Sequence, residues 1–285
     1  MERVPLMSDS IVEAVSGCRI CGERKTIRAH LIPQAFVKEI YFDSKSDEKH
    51  MLIHPDKDFK RRSNTGRFDP ALLCATCDGR LGVYENSAFK LLKRLRRVKV
   101  GKKAGSQSIV RPGTYEFRIK EENEFIRFAC GILWKYAALP DDDTSRIAIG
   151  DYPEKFRKIC FEGAEIPDDI DVFIERDSFS FGAFSDPTDV YFYSMPSVGL
   201  QGHLPPMRMS WFSLGGFIVY VRIDADISSD FVPKRCWLRG KKNCHFFVSM
   251  RSAKKTNGVP ESIEAVRDDL ARLNRKLQLP TSGAR

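Results

Sequence analysis

Apolar residues recur along this chain with two different periods. Between 121 and 138 (EENEFIRFACGILWKYAA), Phe125, Phe128, Ala129, Ile132, Leu133 and Tyr136 fall at i, i+3, i+4 spacing behind an acidic first turn, which predicts an amphipathic helix. Residues 153–162 read as a second helix with proline at its start. Residues 86–100 (NSAFKLLKRLRRVKV) continue a helix that begins after Cys77, with Phe89, Leu92 and Leu95 together with Arg96 as its apolar stripe and Lys90, Lys93, Arg94 and Arg97 mostly off it. A closing helix is expected at about 260–277, acidic early, basic late and stopped by Pro280.

From 169 to 251 the period shortens. Asp171 to Glu175, Val190 to Tyr193, Met207 to Phe212, Phe217 to Ile223 and His245 to Met250 are short, rich in β-branched or aromatic residues, and separated by Gly, Pro and Asp, as antiparallel strands are. The expected class is α+β. The clearest seam is Gly101 to Gly113 (GKKAGSQSIVRPG), which reads as a linker or long loop. It divides a cysteine-bearing module, 14–100, from a mixed helix/antiparallel-sheet domain, 113–285, in which no catalytic motif is visible. The aromatic residues Phe179, Phe181, Phe184, Tyr191, Phe192, Tyr193 and Trp211 could stack on bases, but a sheet core accounts for them more simply.

Composition narrows the setting. The chain has 285 residues, 42% hydrophobic and 30% charged, with no internal repeat; that balance is the one expected of a soluble globular protein. No apolar run approaches the roughly 18 residues of a membrane helix, and the first residues lack the apolar stretch of a secretory signal. A cytoplasmic protein is expected, with no membrane partner. The net charge of +9 suits a polyanion. Its distribution is more telling: Lys90, Lys93, Arg94, Arg96, Arg97, Lys99, Lys102 and Lys103 lie together with no acid among them. Lys60, Arg61, Arg62 and Arg67 add charge upstream. The alternatives for the basic helix are a solvated face and a ridge that contacts phosphates without reading sequence.

In a reducing compartment eight cysteines argue poorly for disulfides. Cys18-Arg-Ile-Cys21 and Cys74-Ala-Thr-Cys77 are two CxxC hooks, and four such thiolates can close one tetrahedral structural zinc site with no open position. Cys130, Cys160, Cys236 and Cys244 are scattered and read as buried thiols. His50 and His54 sit in HMLIH and could ligate a metal, though Asp47, Glu48, Lys49 and Pro55 around them suggest a solvated loop.

Taken in order, CRIC, AHLIP, LLCATCD and LGVYE resemble the HNH (ββα-metal) nuclease family, in its variant with two CxxC pairs bracketing the active-site hairpin. The resemblance covers about residues 16–90. It implies that His30 is the general base, that Asp69 orients it in place of the family's usual Asn, and that Asp78 and Glu85 hold a catalytic Mg²⁺ or Mn²⁺ beside the structural Zn²⁺. Ala29 stands where the family often has an Asp or His ligand, and Asp78 where it has His or Asn. The implied function is a metal-dependent endonuclease acting on nucleic acid, with double-stranded DNA favoured. Lys90, Lys93, Arg94, Arg96 and Arg97 would be its contacts. Such modules often serve antiviral defence or mobile elements, and the C-terminal domain would select substrate, form a homo-oligomer or meet a regulatory partner. The alternative is a non-catalytic zinc-stapled nucleic-acid adaptor in which His30 is structural. A zinc-bound ubiquitin-transfer module fits the spacing poorly.

Overall fold

The strand FIVYVRI sets the architecture. Phe217, Val219, Val221 and Ile223 point to one side, and Ile218, Tyr220 and Arg222 to the other; all seven are buried, so this strand has protein on both faces. In the computed structural model the described residues are 17–42, 50–54, 59–63, 66–98, 101–104, 107–110, 113–177, 193–201, 207–224 and 232–249.

The N-terminal part contains β1 (Ile27–His30), α1 (Gln34–Phe42), the hairpin β2 (His50–His54) and β3 (Phe59–Ser63), then β4 (Phe68–Leu73) and the long helix α2 (Ala75–Arg96). β1 pairs antiparallel with β4. Next come a second small hairpin, β5 (Gly101–Ala104) and β6 (Gln107–Val110), and β7 (Gly113–Arg118). Helix α3 (Glu122–Ala137) follows, then α4 (Tyr152–Arg157), which runs into one wider turn, Lys158–Glu162. Strands β8 (Ile170–Asp177), β9 (Ser197–Gln201), β10 (Met207–Leu214), β11 (Phe217–Ile223) and β12 (Asn243–Ser249) complete the chain.

One six-stranded sheet has the order β7-β12-β8-β11-β10-β9. Every neighbouring pair is antiparallel except β12 with β8. The fold is therefore α+β, with the two helices of the middle region and four of the five predicted strands where the pattern puts them. The seam differs from expectation. Within it Gly101–Ala104 and Gln107–Val110 are paired antiparallel strands rather than loop, with Lys102 opposite Ile109, and β7 enters the main sheet as an edge strand. Six-residue alternation in GTYEFR was the available signal. His50 and His54 lie on a strand rather than a loop. The predicted helix at 260–277 lies outside the described residues, as do Phe179, Phe181, Phe184, Tyr191 and Phe192. Of the predicted strand Val190 to Tyr193, only Tyr193 is described; it bridges to Leu214.

Helix α3 packs on the inner face of the sheet, where Phe128 meets Phe212 with ring centroids 6.4 Å apart. The same buried cluster continues through Leu81, Leu92 and Leu95 of α2 to Leu31, Leu72 and Cys18, so the core runs unbroken across the seam. Close approach makes this possible: a Cβ on Gly131 of α3 would stand 3.2 Å from Leu81 Cδ2. The outer face carries a smaller cluster, in which Phe173 and Tyr220 stack 4.5 Å apart and Trp237 meets Phe173 edge-on. Among the described residues no helix is long and apolar enough to cross a membrane.

Candidate metal centre and adjoining cleft

Two turns bring the cysteine hooks together. At the first, Gly22 N–H donates to the Cys18 carbonyl and Cys18 N–H to the Glu23 carbonyl, both at 2.8 Å. The turn requires φ of +75° at residue 22, which glycine takes without strain. The second hook is the start of α2. Cys74 is its N-cap, and its sulfur accepts from the Cys77 backbone at 3.5 Å. Arg19 N–H ties the first turn to β4 through the Leu72 carbonyl, at 3.1 Å.

The four sulfurs of Cys18, Cys21, Cys74 and Cys77 lie within 4.8 Å of one another. Cys21 Sγ stands 3.6 Å from Cys74 Sγ and 3.7 Å from Cys77 Sγ. A tetrahedron of thiolates about 2.3 Å from a zinc ion has edges of about 3.8 Å, so the donor set fits structural zinc in identity, number and spacing. The remaining cysteines are buried apart from this cluster.

Beside the cluster opens a cleft of about 290 Å³, lined by His30, Pro33, Gln34, Ala35, Asp78, Gly82, Glu85, Asn86 and Lys135. Its construction follows from local geometry. His30 ends β1, and the chain turns through Pro33 into α1. Asp78, Gly82, Glu85 and Asn86 are spaced four, three and one apart, which places them along one side of α2. The four-cysteine cluster joins the first turn, tied to β4 through Arg19 N–H and the Leu72 carbonyl, to the N-terminus of α2.

His30 is half-buried, and its Nε2 atom is shut from solvent without a hydrogen-bond partner among the described residues. Burial, Lys135 and Arg28 hold its pKa below the ordinary value of 6.5, against the opposing pull of Asp78 and Glu85. Burial pushes the Asp78 carboxyl up, and Glu85 adds to this, while Lys135 and His30 pull it down. A half-buried carboxylate under that strain is a site where a cation is welcome.

Lys135 is the residue that the sequence reading passed over. It is 1% exposed, yet it carries an ammonium group. Its Nζ donates to the His30 carbonyl at 2.8 Å and to Glu85 Oε1 at 2.7 Å. A single charge within the apolar stretch from Phe128 to Ala138 was the signal, since lysine is almost never fully buried without a partner. Arg28 was also missed. Its guanidinium lies 3.7 Å above the Phe68 ring, and Phe68 in turn meets His30 edge-on at 6.2 Å.

The expected residues do not all converge. Cys18, Cys21, Cys74 and Cys77 do, and His30, Asp78 and Glu85 share the cleft. Asp69 does not join them. It pairs across the hairpin with Ala29, one position out of step with His30, so alternation places it on the opposite face of the ribbon. Its carboxylate accepts the Ala71 backbone N–H at 2.7 Å instead. The basic helix also divides. Lys90, Lys93, Arg94 and Arg97 are exposed, but Arg94 turns back to the Arg118 carbonyl, and Arg96 is half-buried against the Gly215 turn. With 100° per residue, Asn86, Lys90, Lys93 and Arg97 follow one line that starts at the cleft and runs toward the helix C-terminus. No protein-family model matches the chain, and neither does any curated protein or solved structure compared with it.

Proposed function

We propose that this protein is a metal-dependent endonuclease of the HNH type that hydrolyses phosphodiester bonds in nucleic acid, double-stranded DNA foremost. One observation carries the reading: the His30 imidazole and the half-buried Asp78 carboxylate line one cleft beside a four-cysteine cluster. His30 Nε2 has no partner among the described residues, and an unsatisfied buried nitrogen is costly unless something else fills its place.

In this reading His30 takes a proton from a water in the cleft, and that oxygen bonds to phosphorus as the bond to the leaving oxygen breaks. The departing alkoxide takes its proton from solvent. Asp78 and Glu85 are the carboxylates available to a Mg²⁺ or Mn²⁺, whose chemistry when bound is to polarise the phosphate and stabilise the departing oxygen. Lys90, Lys93 and Arg97 extend a positive line away from the cleft along which a phosphate backbone can lie. Zinc serves only to hold the hairpin and helix together, because four protein ligands leave it no open position.

A second reading, a non-catalytic nucleic-acid adaptor, draws support from Ala29, which is fully buried where a ligand would be expected, and from Glu85, whose Oε1 is engaged by Lys135. One experiment separates them. Zinc-loaded wild type and His30→Ala are incubated with supercoiled plasmid and with a structured RNA, with Mg²⁺, Mn²⁺ or no added divalent ion. Divalent-dependent cleavage that the variant loses supports the nuclease. Binding without cleavage in any condition supports the adaptor.

A further inference from the structure

The two cleft carboxylates are not equivalent. Glu85 and Asp78 sit on one side of α2, but Glu85 already has a cation. The Lys135 ammonium, brought from the other side by α3, lies 2.7 Å from Glu85 Oε1 and is 2% exposed through its side chain. The same nitrogen holds the backbone carbonyl of His30 at 2.8 Å. Asp78 has no ion pair among the described residues. Buried charges persist where they are paired and hydrogen-bonded, and removing one partner strands the other.

We infer that Lys135 is a resident cation of the cleft, paired with Glu85, so that Asp78 alone supplies the protein's carboxylate to the divalent ion. The inference rests on the nuclease reading for what the cleft does, but its metal arithmetic can be measured without any cleavage. In this arrangement Lys135 is a positioning residue with an electrostatic role. It fixes the backbone that carries the base, neutralises Glu85, and adds positive charge beside the phosphate where a second metal ion would otherwise be needed. It also keeps the cleft from binding divalent ions so tightly that the ion and product cannot leave.

The test uses zinc-loaded full-length protein and Mn²⁺ alone as the probe. Titration calorimetry is run on wild type, Asp78→Asn, Glu85→Gln, Lys135→Met, Lys135→Arg and the double variant Lys135→Met with Glu85→Gln. One Mn²⁺ should bind wild type. Asp78→Asn should abolish binding, and Glu85→Gln, which strands the Lys135 charge beside the ion, should weaken it, whereas the double variant, which removes both charges, should stay within about threefold of wild type. Lys135→Met should bind Mn²⁺ about tenfold or more tightly, because a nearby positive charge is gone and a carboxylate released. On DNA the same variant should lose about tenfold or more in kcat with KM little changed, and Lys135→Arg, which keeps the charge, should recover part of it.

Loss of Mn²⁺ binding in the double variant Lys135→Met with Glu85→Gln would overturn the inference, as would unchanged Mn²⁺ affinity in Lys135→Met or a wild type that binds no Mn²⁺. If the single methionine variant does not fold, the double variant decides instead, since it removes both members of the pair and leaves neither charge stranded. There, Mn²⁺ affinity within about threefold of wild type supports the inference and loss of binding overturns it. A wild type that shows this Mn²⁺ pattern but cleaves nothing would sink the nuclease reading and leave the assignment of Lys135 and Asp78 standing.

Discussion

Replacing Cys21 by serine is the sharpest probe of the metal centre, because it changes almost nothing else. Cys21 is exposed, so the substitution opens no cavity and disturbs no packed neighbour. What it removes is one of four sulfurs spaced 3.6 and 3.7 Å from their nearest partners. Structural zinc contributes on the order of 10–16 kcal/mol to the folding of small four-ligand sites, so a quarter share is about 3 kcal/mol. The core is continuous from Cys18 to Val248, so loosening the hairpin and the α2 N-terminus should be felt in the main transition rather than in a separate one. For a chain of this size about 3 kcal/mol lowers Tm by roughly 6–10 °C. The assay is zinc per chain by elemental analysis after dialysis against a weak chelator, followed by thermal unfolding of the same samples. Wild type should retain one zinc; Cys21→Ser should lose most of it and melt lower. Cys130→Ala, in the core but apart from the cluster, should lose stability through its cavity while keeping its zinc. Retention of a full equivalent of zinc and an unchanged Tm in Cys21→Ser would refute the four-cysteine site.

Three further outcomes are expected. The cleavage rate should fall on the acid side with an inflection below pH 6.5, since burial, Lys135 and Arg28 keep His30 below its ordinary value; an inflection above pH 7 would count against His30 as the base. Burial raises the folded-state pKa of Asp78 above 3.8, so its protonation stabilises the fold below that value, and this contribution is lost as pH rises through the folded pKa. Hence Asp78→Asn, without added Mg²⁺ or Mn²⁺, should melt higher than wild type at pH 7 and converge with it below about pH 4, while losing cleavage; a lower Tm at pH 7 would show that the charge is already compensated. On a His30→Ala background, Lys90→Ala and Lys93→Ala should each flatten the log–log salt dependence of DNA affinity by about one unit, whereas Arg96→Ala should leave the slope alone, because Arg96 is turned toward Gly215.

The division between what could be read in the chain and what could not follows a physical line. Local patterns were legible. The 3.6-residue repeat marks α3, short β-branched and aromatic runs between Gly, Pro and Asp mark β8, β10 and β11, and two CxxC hooks, each able to place two sulfurs on one ion, mark the four-sulfur cluster before any contact is known. His30, Asp78 and Glu85 could be proposed for one cleft only through the resemblance of CRIC, AHLIP, LLCATCD and LGVYE to the HNH family. Tertiary structure decided the rest, because it depends on which faces meet. Asp69 looked suitable by its distance from Cys74, but a register offset of one position turns it to the far side of the ribbon. Arg96 falls on the apolar stripe of α2 by helix phase alone, but what it meets, the Gly215 turn, is decided by the fold. Lys135 lies 50 residues from Glu85 and 105 from His30; only the packing of α3 against α2, at the contact between Gly131 and Leu81, makes it part of the site. Periodicity reports what an element must bury, whereas the partner that buries it is chosen by the whole fold.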